Sequence, residues 1–188
     1  MTPKPKFPIK INGNTNDGSV AAAADASETS YILIQTHRCL CPSQMQQLVN
    51  LSIVIYEYVP KNAYLCGYRD VDLDRIRHMD FVVFVDIYRM ESKISRGLKE
   101  VSPSVSRQVD VIFHKDVNPK DFQTDIAEKA HLNAEDLEFC PQKVRLNLRC
   151  KYLNDLASID RVRSIEEVGD VDLRNDCAMG SQRWRLSS

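Results

Sequence analysis

The sequence has no apolar run approaching the roughly 20 residues that a membrane helix needs. Its opening stretch, Met1 to Ser19, is polar and lacks the apolar core of a secretory signal; the run Ala21 to Ala24 is too short to supply one and is followed by Asp25. These absences point to a chain that stays inside the cell as written, and to a secreted one only if the true start lies upstream. An excess of basic charge is also lacking: 25 Lys and Arg stand against 26 Asp and Glu, a net charge of -1. Phosphate contacts need a basic surface, so nucleic acid is not an expected partner. A polybasic membrane anchor is excluded on the same ground. The C-x-x-C spacing of zinc and thioredoxin-type sites is missing among the six cysteines; the closest pair is Cys39-Leu40-Cys41. His37 joins that pair to make three soft ligands in one loop, but no fourth partner is evident. The expectation is therefore reduced, packed thiols, with no metal and no cofactor. None of the histidines, His37, His78, His114 and His131, sits in a motif that implies a catalytic triad. A peptidase is not expected.

What is present is enough apolar residue, 43% of the chain, to build a real core. Residues 1–28 show no apolar periodicity and read as a flexible tail. From there the pattern is regular. Tyr31 to Gln35 predicts a strand, and Pro42 and Ser43 open a helix with Met45, Leu48 and Val49 on one face. Strands follow at Ile53 to Val59 and Ala63 to Tyr68, joined by the Pro60-Lys61-Asn62 turn. Asp70 to Met79 predicts a second helix and Phe81 to Tyr88 a fourth strand. A polar connector, residues 91–107, carries a short helix around Ile94 to Leu98. The order then recurs. Val109 to Phe113 is a strand; Asn118 caps a helix that starts at Pro119 and buries Phe122, Ile126 and Ala130. Leu137 to Cys140 and Val144 to Leu148 form a hairpin, Tyr152 to Ile159 a helix, and Val162 to Val168 the last strand.

The two halves match by register. Leu73, Ile76, Met79, Asp80 and Val82 correspond to Leu153, Leu156, Ile159, Asp160 and Val162 at a constant offset of 80 residues, and Asp86 falls on Glu166. His37 and His114 each follow the first strand, 77 residues apart. This is a duplication. The expected fold class is α+β: two tandem ferredoxin-like βαββαβ units, residues 29–90 and 108–170, each an antiparallel four-stranded sheet with both helices on one face. The other face of each sheet must be solvated or meet something. The two copies could pack on each other, which would enlarge the surface that each small unit buries.

Several stretches resemble a known family. Tyr56-Glu57-Tyr58-Val59-Pro60-Lys61-Asn62-Ala63-Tyr64-Leu65-Cys66 resembles the second hairpin of subtilisin-type propeptides. Leu73-Asp74-Arg75-Ile76-Arg77-His78-Met79-Asp80-Phe81-Val82-Val83-Phe84-Val85 resembles their second helix and last strand. The ordered set, over roughly residues 30 to 180, is similar to the propeptide-like double domain at the N-terminus of fungal subtilisin-like serine proteases. Arg174-Asn175-Asp176-Cys177-Ala178-Met179-Gly180 resembles the join to the protease domain. The subtilase Asp, His and Ser motifs and the G-T-S-M-A nucleophile segment are absent. The resemblance implies a protease inhibitor or folding chaperone that binds a subtilisin-like protease. The open sheet face would pack on helices of the enzyme, and the C-terminal tail, residues 171–188, would lie extended in the substrate cleft. Acidic residues near the end of the last strand, Glu166 and Glu167, could cap partner helices. Val171, Leu173, Asn175, Asp176, Cys177 and Ala178 would be the tail contacts. The alternative is an enzyme acting on a small molecule, such as a cyclase or isomerase, in a hydrophobic pocket between the two sheets. Its lining candidates are Tyr56, Tyr58, Tyr64, Tyr88, His114 and Arg145.

Overall fold

A computed structural model of the chain describes residues 4–169. The tail contacts expected at Val171, Leu173, Asn175, Asp176, Cys177 and Ala178 lie outside the described residues. The fold is α+β, with two ferredoxin-like units in tandem. In the first, β3 (Tyr31–Thr36), α1 (Pro42–Asn50), β4 (Val54–Val59), β5 (Ala63–Gly67), α2 (Asp74–Arg77) and β6 (Val82–Ile87) follow one another, and the sheet runs β4-β5-β3-β6. The second contains β7 (Ser106–Phe113), α5 (Gln123–Ala130), β8 (Glu138–Cys140), β9 (Lys143–Arg149), α6 (Leu153–Ala157) and β10 (Val162–Glu167), ordered β10-β7-β9-β8. All pairs within the two sheets are antiparallel. Among the described residues no helix is long and apolar enough to cross a membrane.

The repeat extends to the irregularities. The β3–β6 ladder shifts register at Gln35/Thr36, next to the pair Thr36–Val82, and the β7–β10 ladder shifts beside the equivalent pair Phe113–Val162. Beyond each, the same backbone bond forms: His37 N–H donates to the Phe81 carbonyl, and His114 N–H to that of Arg161. The helix-side cores also correspond, with Leu73 and Ile76 of the first unit matched by Leu153 and Leu156 of the second.

The helices are short for local reasons. Cys41 caps α1 through a reciprocal capping box with Gln44, and Pro42 fixes its first turn. The second helix is shorter than the expected Asp70 to Met79. Asp70 and Asp72 instead accept bonds from the backbone amides of Val71 and Asp74, which holds that stretch in turns before α2 begins. The connector differs from expectation at its centre. Two short helices, α3 (Met90–Lys93) and α4 (Arg96–Lys99), flank Ile94, which is extended and bridges Ile165 on the edge of β10.

The largest departure is the N-terminus. Residues 4–28 were expected to form part of a flexible tail, yet they contain a hairpin of β1 (Ile9–Ile11) and β2 (Asn14–Asn16), and they lie across the first sheet. Asn12 and Gly13 make its two-residue turn with φ of 50° and 75°, the left-handed pair that hairpins of this length require. Ile9 and Ile11 join Leu33, Val59, Ala63, Leu65, Phe84 and Tyr88 in a single buried cluster on the sheet face opposite the helices. Two buried polar strand residues serve the same segment. Gln35 accepts from the Lys6 amide at 2.8 Å and donates to the Phe7 carbonyl at 3.0 Å. Asp86 accepts from the Ala23 amide at 2.8 Å and pairs with Arg89, which donates to the Ala21 carbonyl. The first sheet is therefore covered on both faces, and β3 is buried along its whole length.

Candidate functional site

The two units meet where the open face of the first sheet receives one end of the second. His114 is the plug. It follows β7, is 2% exposed, and stacks on Tyr31 at 3.5 Å between ring centroids and 9° between planes. Tyr88 contacts it edge-on at 5.9 Å, and Tyr56 lies tilted at 6.1 Å. Among the described residues the Nε2 of His114 has no hydrogen-bond partner. His37, the equivalent residue of the first unit, is exposed. The duplication thus supplies two equivalent histidines, and docking of the units buries one of them.

Polar bonds lock the seam around this stack. Arg163 makes a bidentate pair with Glu57, at 2.7 and 2.9 Å, and donates to Asn12 of the hairpin turn at 2.9 Å. The Tyr88 hydroxyl donates to the Arg163 carbonyl at 2.7 Å and accepts from Asn12. Lys93, also buried, donates to the carbonyls of Ile159 and Asp160. Asp160 accepts from the Thr29 hydroxyl and the Ser30 amide. Burial, followed by the cations of Lys93, Arg163 and Arg161, pushes His114 down to about 3, so its ring is neutral at neutral pH. Burial also holds Lys93 down to about 8.

Beside the stack opens a cleft of about 850 Å³. One wall is apolar, made by Met45 and Val49 of α1 with Ile53, Val54 and Ile55 at the start of the edge strand β4. The other wall is polar and draws on both units: Tyr31, Tyr56 and Arg69 from the first, Asp116 and Arg161 from the second. Arg161 donates to the Tyr31 hydroxyl at 3.2 Å, and that hydroxyl donates to Asp116 at 3.3 Å. Burial pushes Tyr31 up to about 12; burial and the Asp116 hydrogen bond do the same to Tyr56. Both phenols are neutral donors at neutral pH. Gly67 sits under the Tyr56 ring, where a Cβ would lie 2.6 Å from it, so the glycine lets that ring lie flat against β5. A smaller cavity of about 240 Å³ lies where Tyr56, Glu57, Leu65, His114 and Arg163 meet.

Of the expected pocket residues, Tyr56, Tyr88 and His114 come together. Tyr58 and Tyr64 do not: the alternation of β5 puts Tyr64 in the helix-side core, and the β-bulge at Ile55/Glu57 sets Tyr58 opposite it, where the rings meet edge-on at 5.4 Å and the Tyr64 hydroxyl accepts from the Leu40 amide. Arg145 is also elsewhere, paired with Asp110 at 2.8 Å on the far face of the second sheet, and lines neither cavity. Glu166 approaches Arg163 at 3.9 Å and accepts from Ser164, while Glu167 pairs with Arg107 at 2.9 Å. Cys39 and Cys41 are exposed rather than packed, and among the described residues no group of His, Cys, Asp or Glu is placed to hold a metal ion. Sequence reasoning missed Tyr31, Asp116 and Arg161. Their signal was faint: Tyr31 and Leu33 alternate with Ile32 and Ile34, so both faces of β3 are apolar and both need cover.

Comparison with known proteins adds one match. Residues 4–89 match the model of a family described as a domain of unknown function, DUF8729. That span holds the N-terminal hairpin together with the whole first unit. No curated protein and no solved structure matches the chain.

Proposed function

We propose that this chain binds a small, largely apolar molecule in the cleft at the seam, and that the chemistry suited to the cleft is proton transfer of the isomerisation or cyclisation kind. The observation that carries this reading is the convergence of Tyr31, Tyr56, Asp116 and Arg161, drawn from both units, on one side of a cleft whose other side is aliphatic. A site of this size with apolar walls and a few convergent polar groups is the common form of a small-molecule pocket. The Asp116 carboxylate is the candidate proton acceptor. Arg161, whose guanidinium donates once to Tyr31, is the donor for an oxygen on which negative charge develops, and the two phenols orient Asp116. The test is a thermal-shift screen of small apolar oxygenated molecules, with each hit mapped by amide chemical shifts. Hits that perturb both the Tyr56–Gly67 region and the Asp116–Arg161 region support the reading; hits confined to one unit contradict it.

A second reading, a non-catalytic inhibitor of a subtilisin-like protease, has one observation in its favour. The outward face of the second sheet, with Gln108 and Asn147 exposed around the Asp110–Lys143–Arg145 cluster, is solvated. In the first unit the corresponding face is filled by the hairpin and by the second unit. An inhibitor would therefore work through the second unit. A panel of subtilisin-like proteases left fully active by equimolar chain rules this out.

A further inference from the structure

Resting on the cleft as the ligand site, we infer that its ligand carries a carboxylate, held by Arg161 and Arg69, with an aliphatic body lying along α1 and β4. Three features of the cleft lead to this. First, the guanidinia are unspent. A guanidinium offers five N–H donors, and among the described residues the Arg161 side chain makes one hydrogen bond, to the neutral Tyr31 hydroxyl. Neither Arg161 nor Arg69 is ion-paired with a carboxylate of the described residues. Arg163, two residues further on in β10, shows the contrast: it makes four hydrogen bonds, to Glu57, Asn12 and Ser164.

Second, the charges facing the cleft do not balance. Among the residues lining the cleft Arg69 and Arg161 face the single carboxylate of Asp116; Asp160 also acts on Arg161 but is bonded to Thr29 and Ser30. Asp116 is turned toward the phenol of Tyr31, which donates to it, so its own charge is partly answered by hydroxyls. Both arginines line the same cleft as Tyr31 and Tyr56. Planar bidentate recognition of a carboxylate is what arginine does best.

Third, the opposite wall asks for an aliphatic partner. Met45, Val49 and Val54 are 42%, 58% and 53% exposed, and all three line this one cleft. Apolar residues gathered on one surface in this way mark a binding site more often than an accident of packing. An apolar wall facing two arginines that form no ion pair among the described residues matches an amphipathic anion, not a neutral hydrocarbon or an amine.

The probes are octanoate, octanol and octylamine, titrated calorimetrically into the whole chain at pH 7.5 and below micellar concentrations. Octanoate is expected to bind at least tenfold tighter than octanol, with octylamine weakest. Arg161→Met should bring octanoate down to the octanol affinity while leaving octanol binding intact. Arg69→Met, at an exposed position on which folding does not depend, should weaken octanoate severalfold. Asp116→Asn should tighten it. Octanol or octylamine binding as tightly as octanoate overturns the carboxylate and leaves the cleft standing. Binding of none of the three overturns both.

Discussion

At the scale of single residues, His114 has the most measurable consequence. A histidine in the unfolded chain titrates near 6.5, whereas in the folded protein burial and three nearby cations bring it to about 3. The unfolded state therefore binds the proton first. The stability contributed by the neutral ring is full above about 6.5 and is lost as pH falls toward about 3, at up to about 1.4 kcal/mol per pH unit. The groups facing the ring are Tyr31, Tyr56 and Tyr88 from the first unit, Lys93 from the connector, and Arg161 and Arg163 from the second. Glu57 shares the small cavity with the ring but is paired bidentately with Arg163, so no unpaired carboxylate of these groups answers a protonated ring. His114→Phe keeps an aromatic ring against Tyr31 and removes both the unpartnered nitrogen and the titration. Urea unfolding at pH 7, 6 and 5 should show the wild type losing stability relative to His114→Phe at each step. Parallel curves for the two proteins would mean that the ring is not buried at the seam.

At the scale of elements, the N-terminal hairpin decides what the first sheet can do. Ile9 is fully buried in the cluster on the open sheet face, so Ile9→Ala should cost about 2–4 kcal/mol in chemical denaturation, a core-like penalty. A loss below about 0.5 kcal/mol would return the segment to the status of a loose tail. The sequence carried a sign of this hairpin in Ile9-Lys10-Ile11-Asn12-Gly13-Asn14, an alternating pair of isoleucines before an Asn-Gly turn. The sign is easily lost because β1 and β2 have three residues each and stand in a stretch rich in Lys, Asn and Ser. Gln35 and Asp86 were further marks, polar residues placed where a strand is otherwise apolar. By contrast, the order of elements in the two βαββαβ units was legible, though their helices are shorter than expected. Leu73 and Leu153, or Val82 and Val162, repeat because the same helix and strand must bury the same positions. The seam was not legible in the same way. Asp116 and Arg161 face Tyr31 only because two rigid units dock at one angle, and no local pattern records that angle. Tyr58 and Tyr64 were also expected as pocket residues; Tyr64 faces the helices by the plain alternation of β5, and one β-bulge sets Tyr58 opposite it rather than beside Tyr56.

At the scale of the whole molecule, the two units share one seam, and the cleft proposed as the ligand site opens on it. The first unit alone would expose Tyr31, Tyr56 and Tyr88. The second alone would expose His114 and leave Arg163 without Glu57 and Asn12. The hairpin, the connector and both sheets share this one junction: Asn12 touches Tyr88, the Ser92 carbonyl and Arg163 at once. Small ferredoxin-like units bury little surface by themselves, and joining them adds a shared interior that neither has alone. The same joining creates a cleft with an aliphatic wall from one unit and part of its polar wall from the other. Urea unfolding followed residue by residue by NMR tests this most directly, with Leu65 in β5 reporting the first unit and Leu146 in β9 the second. One common midpoint for both reporters is the predicted result; two separated midpoints, with one unit folded while the other is not, would contradict it.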